Sequence, residues 1–170
     1  MGSFVKPPGV IFDIDGTISD MEYRKHLITG KCSAATMKKN WEEFYKQSID
    51  DTQIDGPMEL LRTFLNSHTP IFFCTGRQES NREITCRWLY RFDIYVGMGS
   101  TLLMRKEGDR RGGFEIKLDM LKEVQKTHRV ILAVDNDEEA IEMYKQAKVL
   151  GVLCGNIVKK GEDSYDKYGI

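Results

Sequence analysis

The run GVIFDI at 9–14 ends in Asp13-Ile14-Asp15-Gly16-Thr17. Two carboxylates two residues apart repel if both are ionised, so a bound cation or a shared proton must offset the charge. A hard cation such as Mg²⁺ takes a few carboxylate oxygens and keeps its waters, which suits this spacing. The plainer alternative is an acidic surface turn, since Asp-Gly is a common turn pair. A near-continuous apolar run leading into the pair argues against it. A calcium loop of the EF-hand kind fails, because Thr17 and Ile18 stand where Asp or Asn and then Gly are needed. Two further clusters follow apolar runs: Thr75-Gly76-Arg77 after PIFFC at 70–74, and Asp135-Asn136-Asp137 after RVILAV at 129–134. The first offers a hydroxyl, a flexible backbone and a cation at the start of a predicted helix, where phosphate oxygens bind well. It is also an ordinary turn. The second, followed by Glu138 and Glu139, suits metal binding or an acidic helix N-terminus equally. Lys117 lies on the predicted helix that precedes it.

The elements that must position these residues alternate. Apolar runs at 9–14, 70–74, 101–104, 129–134 and 149–153 read as strands covered on both faces. Helices are predicted at 34–48, from Pro57 onward, and at 79–91, 114–126 and 137–147. Trp41, Phe44 and Tyr45 share one face of the first of these, and 49–56 reads as a polar turn. Strands alternating with helices imply a parallel sheet in an α/β fold, and such sheets place ligands at the carboxyl ends of their strands. All three clusters fall there.

Composition narrows the rest. The chain has 170 residues, 41% of them hydrophobic, enough for one domain over 1–170 with a real core. A net charge of −1 excludes a protein that coats DNA or anionic membranes by bulk charge. No apolar run reaches the length of a membrane span, the start lacks a signal-peptide core, and the myristoylation pattern fails. A cytoplasmic protein without membrane association is expected. The four cysteines form no CxxC pair and the three histidines lie far from them, so neither disulfides nor a zinc site is expected. Cys74 and Cys154 read as small core residues, and the tail from Lys159 as loose.

DIDGT at 13–17, TGR at 75–77, Lys117 and the acidic group from Asp135 resemble the four motifs of haloacid-dehalogenase-like phosphatases, over residues 9–155. Met104-Arg105-Lys106-Glu107-Gly108-Asp109-Arg110-Arg111, Arg24, the stretch Arg87-Trp88-Leu89 and the segment Ala133 to Tyr144 resemble more narrowly the 3′-phosphatase domains of bacteriophage polynucleotide kinase-phosphatases. That family has aspartates where Gly113 and Asn136 stand here. The resemblance implies a three-layer Rossmannoid α/β fold with a parallel sheet, and the longer 25–55 stretch is expected to form a small helical cap.

It also implies a mechanism. Asp13 is the nucleophile and Asp15 the general acid and base. Mg²⁺ is held by Asp13, Asp15 through its backbone carbonyl, and Asp135. Thr75 and Lys117 hold the phosphoryl oxygens. Arg24, Gly76, Arg77 and Arg105 bind substrate. Asp15 must be protonated to act as an acid, and raising it from about 3.9 to about 6 takes roughly 3 kcal/mol. Apolar cover from Trp41 and Phe44 is expected to supply it. The implied substrate is a nucleic-acid 3′-phosphate end, with a small-molecule phosphatase such as a 5′-nucleotidase as the alternative. The only Gly-Lys pair, Gly30-Lys31, is followed by Cys32, so no phosphate-binding loop and no kinase activity is encoded in this chain. Residues 77–91 and 105–117 each carry net +2 and residues 135–142 net −5, so the balanced total conceals a basic approach to an acidic centre.

Overall fold

The computed structural model describes residues 5–29 and 32–158. The tail from Lys159, expected to be loose, lies outside them. Five strands form one parallel sheet: β1 (Pro8–Phe12), β4 (Ile71–Gln78), β5 (Ser100–Arg105), β6 (Arg129–Asp137) and β7 (Leu150–Val158). Their order is β5-β4-β1-β6-β7. Helices α3 (Asp55–Asn66) and α4 (Arg82–Tyr90) cover one face, while α5 (Gly113–Thr127) and α6 (Glu138–Gln146) cover the other.

Side-chain alternation produces both cores. Val10 and Phe12 of β1, with Ile71 and Phe73 of β4, pack on Met58, Leu61, Trp88 and Leu89. Ile11, Phe72 and Cys74 point the opposite way, onto Ile116, Leu121, Val124 and Tyr144. Both faces are covered, so these strands read as unbroken apolar runs. Each large side chain buried this way contributes about 1.5–3 kcal/mol. Cys74 is buried and Cys154 half-buried, and every cysteine is a free thiol. No helix among the described residues is long and apolar enough to cross a membrane.

Strand boundaries differ from the sequence pattern in one way that matters. β1 ends at Phe12, but β4 continues through Thr75-Gly76-Arg77 and β6 through Asp135-Asn136-Asp137. The pairing register shifts between Thr75 and Gln78, and again between Asp135 and Asp137. Both clusters therefore sit in irregular strand ends rather than loops, where a bulge re-aims side chains. The 79–91 helix divides into a 3₁₀ turn at Glu79–Asn81 and then α4. α3 starts at Asp55, two residues before Pro57. Pro57 is tolerated because first-turn N–H groups have no helical partner.

Residues between β1 and α3 leave the sheet. β2 (Ser19–Asp20) pairs antiparallel with β3 (Thr52–Gln53) and closes the base of this insertion. Between them lie α1 (Glu22–Lys25), α2 (Ala34–Gln47) and a 3₁₀ turn at Ser48–Asp50. The Ser33 hydroxyl caps α2 by accepting from the Thr36 N–H at 3.2 Å. Met21, Ile28 and Phe44, flanked by Leu27, Trp41 and Tyr45, make a small separate core. The 49–56 stretch read as a turn thus contains the return strand β3.

Candidate functional site

The chain runs outward from β1 through β4 to β5, then crosses back to β6 and β7. The order reverses at β1/β6, and a doubly wound sheet opens its ligand crevice there. Asp13 follows β1 at that point and Asp135 lies in β6 beside it. The turn after β1 is tight: the N–H groups of Thr17, Ile18 and Ser19 all reach the Ile14 carbonyl, at 3.0–3.1 Å. Gly16 adopts φ +77°, and a Cβ there would collide with the Asn136 amide. Gly155, at φ +86°, lets β7 approach so closely that the Asn156 N–H donates to the Gly16 carbonyl at 2.6 Å.

Asp13 and Asp135 are both buried and share one cation. Lys117 Nζ lies 2.9 and 2.8 Å from the two Asp135 oxygens and 3.3 Å from Asp13 Oδ1. Asp13 also accepts from Thr17 Oγ1 at 3.0 Å. Burial pushes Asp13 up to about 7, and the like charges of Asp135 and Asp15 add to it against Lys117. Burial raises Asp135 too, again opposed by Lys117. Burial disfavours the charged lysine, but Asp13 and Asp135 outweigh it and hold Lys117 well above its usual range. One ammonium for two buried carboxylates leaves negative charge uncompensated. A divalent cation fits this donor set, because oxygen ligands and excess negative charge are what hard cations require. Among the described residues no three His, Cys, Asp or Glu side chains form a closed metal cage, and Mg²⁺ usually takes only one or two carboxylates.

Asp15 sits in a second cluster. Arg77 Nε and Nη2 donate to its two oxygens at 2.7 and 2.8 Å, and Arg24 Nη2 donates to Oδ1 at 2.7 Å. Both arginines are essentially inaccessible, at 0% and 1% exposure. Arg24 also binds Asp51, stacks 3.9 Å over the Phe44 ring and donates to the Phe44 carbonyl. Arg77 Nη1 reaches Thr85 Oγ1 at 3.1 Å. Burial opposes ionisation of Asp15, but the Arg77 and Arg24 guanidiniums prevail and hold its carboxyl well below the ordinary carboxylate range. This reverses the expectation that apolar cover raises it. Trp41 and Phe44 do lie over the site, yet the same fold brings two cations to Asp15.

A cavity gathers Asp13, Asp15, Thr75, Gly76, Arg77 and Lys117 beneath Trp41, Phe44 and Tyr45 of α2. Arg24 lies behind Asp15 instead of lining this cavity, and Arg105 lines the neighbouring cleft. The Arg105 guanidinium holds backbone, donating to the carbonyls of Gly76, Asp109 and Arg111. The Asn136 amide bridges the turn to β7: Oδ1 accepts from Thr17 at 3.2 Å and Nδ2 donates to the Asn156 carbonyl at 2.7 Å. Asp137 caps α6 by accepting from the Glu139 N–H at 2.8 Å. Gly113 opens α5. Sequence reasoning missed Asp51, Ser48 and Thr85. They lie in a presumed turn and on a helix flank, and only tertiary contact with Arg24 and Arg77 reveals them.

A model of the polynucleotide kinase PNKP phosphatase domain, of the haloacid-dehalogenase-like class, matches residues 7–161. Among solved structures, a chain of a Pnkp1/Rnl/Hen1 RNA repair complex is similar at 22% identity and a TM-score of 0.68, over 92% of this chain and 44% of that one. The chain thus spans less than half the length of that relative. The class C acid phosphatase from Bacillus anthracis, with tungstate bound, is similar at 15% identity and a TM-score of 0.62, over 98% of this chain and 79% of that one. A phosphatase structure from Clostridium difficile is similar at 13% identity and a TM-score of 0.64, over 94% and 90%.

Proposed function

The chain belongs to the polynucleotide kinase PNKP phosphatase domain family, and we propose that this phosphatase removes the 3′-phosphate from polynucleotide ends through an aspartyl-phosphate. The observation that carries the reading is the single cavity lined by Asp13, Asp15, Thr75 and Lys117 at the switch point of the sheet.

Asp13 attacks phosphorus in line; its new O–P bond forms as the bond to the sugar oxygen breaks. Thr17 steers the carboxylate, leaving Oδ1 on the Lys117 side. Lys117 and Thr75 take the equatorial oxygens as charge spreads over them. Asp15 gives its proton to the departing sugar oxygen and later takes one from the water that cleaves the aspartyl-phosphate, releasing inorganic phosphate. The resting carboxyl is ionised, so Asp15 takes up a proton from solvent as the substrate binds and before the sugar oxygen departs. The phosphate dianion competes for Arg77 and raises Asp15 by its own charge. Mg²⁺ held by Asp13, the Asp15 backbone carbonyl and Asp135 would supply charge neutralisation. Trp41, Phe44 and Tyr45 of α2 roof the site and lower the effective dielectric around these charges.

The test is phosphate release, with Mg²⁺, from a 3′-phosphorylated oligonucleotide, a 5′-phosphorylated one, and 3′- and 5′-mononucleotides. The 3′-phosphorylated substrates should give a higher kcat/KM than their 5′-phosphorylated counterparts. Preference for 5′-mononucleotides would instead assign a small-molecule phosphatase.

A further inference from the structure

A second, larger cleft of about 640 Å³ opens beside the catalytic cavity, and the two share Trp41, Tyr45 and Gly76. One wall is α2, where Lys38, Trp41 and Tyr45 stand at helical spacing on one face. The other is the segment after β5, with Arg105, Glu107 and Arg110. Arg105 fixes the shape of that segment, because its guanidinium holds the Asp109 and Arg111 carbonyls at 3.2 and 2.6 Å. The walls are therefore built and not collapsed. Pockets for small ligands span about 300–1,000 Å³, so the outer cleft has room for one further nucleotide beside the catalytic cavity. Lys38 and Arg110 are exposed on opposite walls, where a phosphodiester would pass between them.

Trp41 stands at the junction. Its ring lies 5.6 Å from Tyr45, tilted by 30°. Its indole Nε1 is buried and has no hydrogen-bond partner among the described residues. Aromatic rings beside cations are how proteins hold single strands, since every base has a face to stack.

We infer that this outer cleft binds the nucleotide on the 5′ side of the terminal one, with the Trp41 indole stacking on that strand. The inference rests on the 3′-end reading and extends it: the enzyme selects a strand through contacts beyond the phosphate.

Steady-state kinetics on single-stranded 3′-phosphorylated mono-, di- and tetranucleotides test it. kcat/KM should rise about tenfold from mono- to dinucleotide, carried by KM, and little thereafter. The combined Lys38→Glu and Arg110→Glu variant should cut the tetranucleotide-to-mononucleotide ratio severalfold. Trp41→Ala removes the stacking ring and should cut it as well. Equal kcat/KM for mono- and tetranucleotide in the wild type overturns the cleft while leaving the 3′-phosphatase reading intact, and so does a ratio indifferent to the charge reversal. A separate titration follows tryptophan fluorescence with the 3′-hydroxyl tetranucleotide. Trp88 is fully buried, so a quench that Trp41→Phe abolishes supports the cleft even if the end chemistry proves different. Absence of that quench overturns it.

Discussion

Asp51 grips Arg24 with both carboxylate oxygens, accepting from Nε at 2.8 Å and Nη2 at 2.5 Å, and neither side chain reaches solvent. The same Nη2 reaches Asp15 at 2.7 Å, so one guanidinium joins a carboxylate of the insertion to one at the strand end. Ser19 donates to Asp51 from β2, and the Trp88 indole donates to its carbonyl from α4. Asp51 thus fastens the insertion to the sheet while orienting the cation that faces Asp15.

Removing one partner of a buried pair leaves the other charge uncompensated, at a cost of about 3–5 kcal/mol. Asp51→Asn keeps the shape but loses the charge. It should lower unfolding stability by about 3 kcal/mol, measured by urea titration, and depress turnover as Arg24 shifts. A midpoint equal to the wild type would show that Arg24 does not depend on Asp51.

Much of this arrangement was legible from local pattern. Asp13, Thr75 and Asp135 follow apolar runs, and the parallel sheet obliges those run ends to meet. Lys117 became meaningful only with them. The Arg24–Asp15–Arg77 cluster was not legible in the same way. Arg24 and Arg77 read as free substrate cations because sequence shows charge but not burial. Asp51 lies in a polar stretch that resembles a turn, and nothing local marks it as the buried partner of a residue 27 positions away. The β2–β3 pair escaped because two-residue strands carry no periodicity. Trp41, Phe44 and Tyr45 did show their common helical face, and that face covers the site.

The protonation of Asp13 sets a pH dependence in the metal-free protein. Its folded-state value of about 7 stands above an unfolded value of about 3.9. Between these values the unfolded chain has lost the proton and the folded one retains it. The stability this group contributes is therefore complete below about pH 4 and lost as pH rises to about 7. With EDTA present, wild-type stability should fall across that window. Asp13→Asn should flatten the fall and gain on the order of 2–4 kcal/mol at pH 8, while abolishing phosphate release. A flat wild-type profile would contradict the burial of this carboxylate, and residual turnover above a few per cent would contradict the nucleophile.

Metal addition should reverse that loss. A cation that binds only the folded protein stabilises it by about 2.7 kcal/mol at a hundredfold excess over Kd. Mg²⁺ should raise the Tm of the wild type at pH 8 and do so far less in Asp135→Asn, which keeps one of the two carboxylates. Scanning calorimetry across a Mg²⁺ series measures this without turnover. A rise of equal size in the variant would remove Asp135 from the ligand set.

Asp15 raises the question of whether it transfers a proton or only holds its arginines. Asp15→Asn removes the charge that Arg24 and Arg77 both pair with, so turnover should fall on any substrate. The leaving group separates the two roles. A sugar alkoxide is a poor leaving group and needs a proton as the bond breaks, whereas nitrophenolate leaves readily without one. General acid catalysis is worth about 10²–10⁴-fold. If Asp15 supplies it, the variant should lose that factor on a 3′-phosphorylated oligonucleotide over and above its loss on nitrophenyl phosphate. The misplacement of the arginines affects both substrates and cancels in the ratio. Equal losses would assign Asp15 to positioning alone, and the proton for the departing sugar oxygen would then have to come from water.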